Sequence, residues 1–191
     1  SFDKVNKYDI EFNKKNNKII WRGVTTGYSD KNLNPRYILV NKYYNYPNKN
    51  IDIGFSDIVQ NRYNFKKNFK KELKIKEQLK SKYIISVEGN DVPTGLKWQL
   101  YSNSVVFMTK PKIVSWLMED KLIPNVHYIL LKDDYSDLIE KYNWALKNDQ
   151  KCMEISKNAT NYMKQFLDKK REDIISSEIM KRYFNNVKFR N

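Results

Sequence analysis

Short apolar runs alternate with longer amphipathic segments along most of the chain. Five runs have the length and the β-branched and aromatic content of buried strands, at residues 18–23, 51–55, 82–87, 104–108 and 127–131. The apolar run at 37–40 is too short to decide between a strand and the first turn of a helix.

The segments between these runs predict helices. Phe65, Phe69, Leu73 and Leu79 recur among lysines at a spacing that predicts a solvent-facing amphipathic helix over residues 65–80. Similar patterns predict further helices that begin near Thr94, span 113–120, begin at Ser136, and span 149–168 and 174–187.

Strands that alternate with helices through short connections predict an α/β fold, a Rossmann-like parallel sheet with helices on both faces. In such sheets ligands lie beyond the carboxyl ends of the strands. The loops that follow Trp21, Val87 and Met108 are therefore the places to search for a site.

The charge of the chain raises nucleic-acid binding as an alternative function. The 191 residues carry a formal net charge of +14, and Lys and Arg gain affinity for nucleic acids by displacing counterions from phosphate. The excess comes from 30 Lys against 6 Arg, beside 23 Asn, a joint enrichment typical of AT-rich coding sequences. Because recognition of phosphates and bases usually uses the bidentate fork of Arg, a solvated lysine-rich surface is the favoured interpretation.

The rare residues narrow the chemistry. Cys152 and His127 are the only cysteine and histidine, so the chain offers neither an intrachain disulfide nor a Cys/His zinc site. Adjacent carboxylates such as Asp133 and Asp134 normally point apart, and we expect no metal and no cofactor. No apolar run approaches the ~18 residues that span a bilayer. The single cysteine and the lack of a signal-like apolar run suggest a cytoplasmic protein, peripheral to a membrane at most.

The first candidate site is the turn at residues 88–95, between a predicted strand and a predicted helix. Gly89 and Gly95 allow a close approach of the backbone, and a helix that begins near Thr94 presents free amides to an anion such as a diphosphate. Lys97, in the first turn of that helix, supplies a compensating charge. An ordinary Asx-rich turn with Thr94 as the N-cap remains an equal alternative.

The second candidate is the loop after Trp21. Two of the six arginines, Arg22 and Arg36, flank this loop, and an arginine holds a phosphate through two parallel hydrogen bonds. The alternative is a surface loop whose Trp21 belongs to the core.

The third candidate is acidic. Glu119 is followed by Asp133, Asp134 and Asp137, and a carboxylate placed after a sheet strand can accept both hydroxyls of a ribose. A solvated acidic face is the favoured alternative.

Together, these segments resemble glycosyltransferase family 90, the lipopolysaccharide-modifying and capsule-associated transferases that include the eukaryotic protein O-glucosyltransferases. The order and spacing of the short motifs carry the resemblance. They are Trp21-Arg22-Gly23 with Thr25, Thr26 and Arg36, then 82–84 leading into Glu88-Gly89-Asn90-Asp91, Leu96-Lys97-Trp98, 102–108, Trp116, Glu119, Pro124 and 127–129.

The resemblance implies the nucleotide-sugar-binding C-terminal lobe of a two-lobed glycosyltransferase-B architecture. It also implies donor contacts, which we expect at Arg22, Thr25, Thr26, Arg36, Gly89, Asn90, Asp91, Val92, Pro93, Thr94, Gly95, Lys97 and Glu119. The protein O-glucosyltransferases carry an arginine where this chain has Gly95, so Lys97 is expected to take the phosphate role. Glu119 as the ribose ligand rests on broader analogy to the architecture.

The same resemblance predicts which part of the chain has which function. Residues 1–17 are expected to be a polar lead-in from a missing N-terminal lobe, 18–169 the nucleotide-sugar domain, and 170–191 a C-terminal helix. The family's catalytic base is an aspartate of the N-terminal lobe, and Asp3 and Asp9 are poor substitutes. The expected activity is transfer from a UDP-sugar, UDP-glucose or UDP-xylose, to a hydroxyl of a glycan or protein; the alternative is a non-catalytic fragment or paralogue that binds the donor.

Overall fold

The computed structural model describes residues 2–27, 34–60 and 68–187. Five strands are present in these ranges: β1 Asn16–Val24, β2 Ile51–Asp57, β3 Ser81–Ile85, β4 Val105–Met108 and β5 Ile129–Leu130. The helices are α1 Phe2–Tyr8, α2 Pro35–Tyr43, α3 Ile75–Gln78, α4 Leu96–Tyr101, α5 Leu138–Lys147, α6 Asp149–Lys164 and α7 Lys169–Asn186. Short 3-10 turns occur at Phe12–Lys14, Glu119–Lys121 and Gln165–Leu167.

The five strands form one sheet in the order β2-β1-β3-β4-β5, and every pairing is parallel. Side chains of a strand alternate between the two faces, and here both faces are covered. Ile19 and Trp21 of β1 enter one core with α2 and α5, whereas Ile20 enters another with α1, α3 and α4. The predicted α/β, Rossmann-like fold is therefore confirmed.

Residues 2–15 are folded onto this domain. Val5 of α1 is buried in the core that contains Ile20 and Leu79. The Asp9 carboxylate pairs with buried Lys15 and accepts from the backbone N–H of Asn103 at 2.7 Å. The Lys15 ammonium also donates to the carbonyl of Leu79. These contacts tie the N-terminal segment to the residues that follow α3 and α4; the predicted domain boundaries at residues 17 and 169 stay a prediction.

Two predicted helices are wrong in the described residues. Of the helix expected over 65–80, only Ile75–Gln78 is helical; residues 61–67 lie outside the described ranges. Residues 68–70 are extended instead, because Phe55 at the edge of β2 bonds to the backbone of Asn68 and Lys70. Tertiary pairing thus overrides a helical spacing.

The helix expected over 113–120 is replaced by a turn and a short 3-10 segment that begins at Glu119. Met118 has a left-handed backbone, with φ of 53°, and the carboxylate of Glu119 bonds the backbone of Ser115 at 2.7 Å. The ambiguous run at 37–40 is helical, within α2.

The last helix is the least packed element. None of the residues of α7 is buried, and several of its large apolar side chains are exposed, among them Ile174, Ile179 and Met180. Among the described residues, no helix is both long and apolar enough to cross a membrane.

Candidate functional site

A cleft of about 780 Å³ opens at the carboxyl ends of β1 and β3. Its lining includes residues 21–24, 85–87 and 93–95, together with a wall at 72–76. The chain leaves β1 towards β2 on one side and leaves β3 towards β4 on the other, so the cleft lies at the topological switch point of the sheet. Open α/β sheets bind their ligands at this point, and a volume of several hundred cubic ångströms suits a small-molecule ligand.

Arg36 joins the two loops that meet at this switch point. Asn34 caps α2 by accepting from the N–H groups of Arg36 and Tyr37, and Pro35 occupies the first helical position. This places the Arg36 guanidinium against the carbonyls of Val24, Val87 and Glu88, to which it donates at 3.1–3.4 Å.

Thr26 and Gly89 complete this arrangement, which we call the Arg36 cluster: Arg36, Thr26, Gly89 and the three carbonyls. Arg36 donates to Thr26 Oγ1 at 2.6 Å. A Cβ at position 89 would lie 2.7 Å from Arg36 Nη2 and 3.0 Å from Thr26 Oγ1, so only glycine leaves room for the guanidinium. Burial lowers the pKa of Arg36, yet an arginine stays charged in proteins, and the cluster brings a positive charge to the cleft.

The Trp21-Arg22-Gly23 motif holds β1 in place. The Trp21 ring packs against Gly23, where an added Cβ would lie 2.6 Å from the ring. Arg22 donates to the carbonyls of Lys71, Trp21 and Asp52 and pairs with the Asp52 carboxylate at 2.9 Å. Trp21 is buried in the core, as the alternative interpretation of this loop predicted. Arg22 lines the cleft, but its hydrogen bonds stabilise the contact between β1 and β2.

Thr25 and Asn90 are also engaged within the protein. Thr25 Oγ1 donates to the carbonyl of Val59 at 2.8 Å and accepts from its N–H at 3.0 Å. The side chain of Asn90 accepts from the N–H of Gly27 at 3.0 Å and donates to Gln60 at 3.1 Å. Both residues therefore fix the shape of the loops around the cleft.

The turn at 89–95 uses part of its amides internally. The N–H groups of Gly89, Val92 and Leu96 donate to Asp91 O, Asp91 Oδ1 and Pro93 O, respectively. Within the described residues, the N–H groups of Thr94 and Gly95 have no acceptor, and both residues line the cleft. In the described residues, the N–H groups of Asn90 and Asp91 also lack an acceptor but lie outside the cleft lining, so Thr94 and Gly95 are the two predicted amides that are both unbonded and in the lining; their role in anion binding stays a prediction. Helix α4 begins at Leu96, with Gly95 as its N-cap, rather than near Thr94.

Lys97 and Glu119 lie apart from the cleft. The Lys97 ammonium sits 5.3 Å from the centre of the Trp116 ring, and the residue is not part of the cleft lining. Glu119 is buried, and both of its carboxylate oxygens accept from Ser115 at 2.7 Å. The cavity beside Glu119 holds about 10 Å³, roughly the room of one water.

The acidic residues after β5 do not converge. Asp133 pairs with Lys112 at 2.9 Å and Asp134 with Lys42 at 3.1 Å, whereas Asp137 accepts from the N–H of Lys132. In residues 2–27, 34–60 and 68–187, no three Cys, His, Asp or Glu side chains are grouped so that they could share a metal ion.

Two polar residues of the cleft were not among the site residues that the sequence predicted. Ser86 and Gln99 are 4% and 7% exposed, and their side-chain oxygens have no hydrogen-bond partner in the described part of the chain. Both line the cleft. The available signal was a polar residue in an otherwise apolar context, serine after Ile84-Ile85 and glutamine between Trp98 and Leu100.

Comparison with known proteins agrees with this fold and this arrangement of motifs. The model of the family described as Glycosyl transferase family 90 matches residues 4–191. The chain therefore belongs to glycosyltransferase family 90, as the sequence motifs predicted.

Three relatives illustrate the range of the family. The chain is 32% identical over 176 residues to "O-glucosyltransferase LpsA" of Dichelobacter nodosus, covering 92% of this chain and 52% of that protein. It is 33% identical over 174 residues to "Uncharacterized protein 179R" of Invertebrate iridescent virus 6, covering 87% and 13%. It is 38% identical over 77 residues to "Protein O-glucosyltransferase 2" of Danio rerio, covering 40% and 15%. The chain thus spans about half the length of the bacterial relative and less of the others.

Proposed function

We propose that the cleft binds a UDP-sugar and that the protein transfers the sugar to a hydroxyl of a glycan or protein. The observation that carries this proposal is the pair of unbonded amides, Thr94 and Gly95, in a cleft at the switch point of a family 90 chain. The names of two relatives, both O-glucosyltransferases, favour UDP-glucose as the donor, with UDP-xylose as the other candidate.

The charge around the cleft suits a diphosphate. Arg36 contributes a buried positive charge, and Arg22, Lys4 and Lys74 also line the cleft. When the bond between sugar and diphosphate breaks, negative charge develops on the departing phosphate oxygen. Preorganised donors and charges aimed at that oxygen lower the barrier. The amides of Thr94 and Gly95 would bind the diphosphate, and the Arg36 cluster would hold their turn in place.

The acceptor hydroxyl must lose its proton during transfer. Asp9 is already bonded to Lys15 and Asn103, so it is a poor base. We propose that an N-terminal lobe of the full-length protein supplies the base and most acceptor contacts, with this domain as the donor half of the site.

Calorimetry with UDP, CDP, GDP and ADP tests the proposal, and UDP is expected to bind most tightly. The amide contribution is isolated by comparing Thr94→Pro with Thr94→Ala, because both remove the threonine hydroxyl but only proline removes the N–H. Thr94 is the second residue of the turn that the Leu96 N–H closes on the Pro93 carbonyl, and this position suits proline. A lost charge-assisted hydrogen bond costs about 1.5–3 kcal/mol, so Thr94→Pro should bind UDP at least ~10-fold more weakly than Thr94→Ala.

Two results would count against the proposal: no UDP binding by the unmodified chain, or equal UDP affinity in the two Thr94 variants. Binding to random DNA with a steep salt dependence, together with indifference to UDP, would instead favour the nucleic-acid alternative.

A further inference from the structure

Buried polar atoms without partners are rare in folded proteins, because each one loses its hydrogen bonds to water and gains none in return. Four such side-chain atoms occur in the described residues: Tyr83 Oη, Ser86 Oγ, Gln99 Oε1 and Tyr128 Oη. The two tyrosines belong to hydrophobic cores and are absent from the cleft lining. Ser86 and Gln99 both line the cleft. Half of the unsatisfied groups are therefore concentrated at one surface, which points to a ligand.

The backbone holds both residues firmly. The N–H of Ser86 donates to the carbonyl of Phe107 at 2.9 Å, which extends the pairing of β3 with β4. Gln99 lies in the middle of α4, and its N–H donates to the carbonyl of Gly95 at 3.1 Å. Rotation about χ1 of the serine or χ3 of the glutamine changes only the direction of the polar atoms. The backbones of Ser86 and Gln99 are therefore fixed, whereas their side-chain hydrogen-bonding groups can rotate.

The chemistry of the two side chains favours a hydroxyl over a phosphate as their partner. In the orientation that the structure shows, Gln99 Oε1 is an acceptor and needs a donor, which a phosphate dianion does not offer; a phosphate would require the glutamine amide to turn over about χ3. A hydroxyl group both donates and accepts, and it therefore satisfies the serine hydroxyl and either end of the glutamine amide.

The position of Gln99 beside Gly95 determines which hydroxyl groups of the ligand can contact the glutamine amide. A Cβ on Gly95 would lie 3.0 Å from Gln99 Nε2 and 3.3 Å from Trp98 Nε1, so the glutamine amide is directly beside the proposed diphosphate amides. In a UDP-sugar, the ribose and the transferred sugar are both bonded directly to the diphosphate and both carry hydroxyl groups, but only the transferred sugar is absent from UDP, so a comparison of the two ligands distinguishes them. The missing side chain at Gly95 leaves space for such a group to reach Gln99.

We propose that Ser86 and Gln99 form a subsite for hydroxyl groups of the transferred sugar and so contribute to the choice of donor. The inference rests on the proposed function, since it assigns one part of the same cleft. UDP, which lacks the sugar, makes no contact with this subsite.

The test uses calorimetry on the full 191-residue chain. It compares the affinity for UDP with the affinity for one UDP-sugar, either UDP-glucose or UDP-xylose, whichever binds more tightly. Ser86→Ala and Gln99→Met should each weaken UDP-sugar binding about 3- to 10-fold, the size of one net hydrogen bond, and leave UDP affinity unchanged. Neither variant should lower the melting temperature, because each removes an unsatisfied group.

Tyr128→Phe is the matched control, because it removes an unsatisfied buried hydroxyl outside the cleft; it should change neither affinity. The sugar subsite would be overturned if the Ser86 and Gln99 variants lost affinity equally for UDP and UDP-sugar, or lost affinity for neither ligand. The proposed function would still be upheld in that case, provided that the unmodified chain binds UDP. Failure of the unmodified chain to bind UDP would overturn the proposed function itself.

Discussion

Two surfaces of the same cleft differ in how their polar groups are used. In the Arg36 cluster, the guanidinium makes four hydrogen bonds to the protein itself. Elsewhere in the cleft lining, Ser86 and Gln99 keep side-chain oxygens without a partner, and Thr94 and Gly95 keep free amides. Saturated groups hold loops in position, whereas unsatisfied groups are available to a ligand. The difference suggests that the arginine builds the site and its neighbours contact the substrate.

The largest expected effect comes from filling the space at Gly89. In Gly89→Val the new side chain displaces the Arg36 guanidinium, which would lie 2.7 Å from the Cβ. Overpacking of this kind costs about 1–3 kcal/mol, and the lost hydrogen bonds add to it. We expect urea denaturation to show a free energy of unfolding lower by ~3 kcal/mol, and UDP binding to disappear. A variant as stable as the parent would show that the cluster does not organise the cleft.

Arg36→Lys is expected to have the next largest effect. A lysine carries the charge but not the planar fork, so at least two of the three carbonyls of the cluster lose their donor. The free energy of unfolding should fall by about 2 kcal/mol, and UDP should bind ~10-fold more weakly because the turn that carries Thr94 and Gly95 is less well held.

Arg22→Lys is the matched comparison for Arg36→Lys, since Arg22 also lines the cleft and also makes several hydrogen bonds to the protein. It should lower stability but change UDP affinity less than Arg36→Lys does. A greater loss of affinity at Arg22 would shift the diphosphate site towards β1 and contradict the assignment.

The smallest effect concerns acid stability. Burial alone would raise the pKa of Asp52, but hydrogen bonds from Lys70 and Arg22 outweigh it, and the net pKa lies below the usual 3.8. The ionised carboxylate therefore contributes stability that is fully present above pH ~3.8 and is lost as the pH falls through the folded-state pKa. Urea denaturation between pH 5 and 3, pH values chosen to bracket this range, should show a shallower loss of stability for Asp52→Asn than for the parent chain. Ser86→Ala, which removes no titratable group, should keep the parent's slope; an unchanged slope for Asp52→Asn would contradict the pairing.

Most strands of the sheet could be predicted from the sequence, but fewer of the contacts in the site could be. A continuous run of buried positions, such as Ile19, Ile20 and Trp21 in β1, depends only on neighbouring residues and could be predicted. The roles of Arg36 and Gly89 depend on contacts between residues more than fifty positions apart, which no local pattern shows. The family motifs named both residues as donor contacts, which stays a prediction, and they did not show that the arginine is bonded to its own loops.

Other differences have the same origin. Lys97 was assigned to phosphate from its place in the first turn of α4, yet its side chain lies over Trp116, a residue in a loop that the sequence predicted as a helix. Glu119, assigned to ribose, has both carboxylate oxygens bonded to Ser115. Its role as a donor ligand stays a prediction that requires this turn to open.

The most direct test of the account is a titration of the isotope-labelled chain with UDP-glucose, followed by amide NMR. The account predicts that the largest shifts occur at Ser86, Thr94, Gly95 and Gln99, and that UDP alone reproduces the shifts at Thr94 and Gly95 but not those at the other two. Shifts confined to lysine-rich surfaces away from the carboxyl ends of β1 and β3, or no shifts at all, would contradict it.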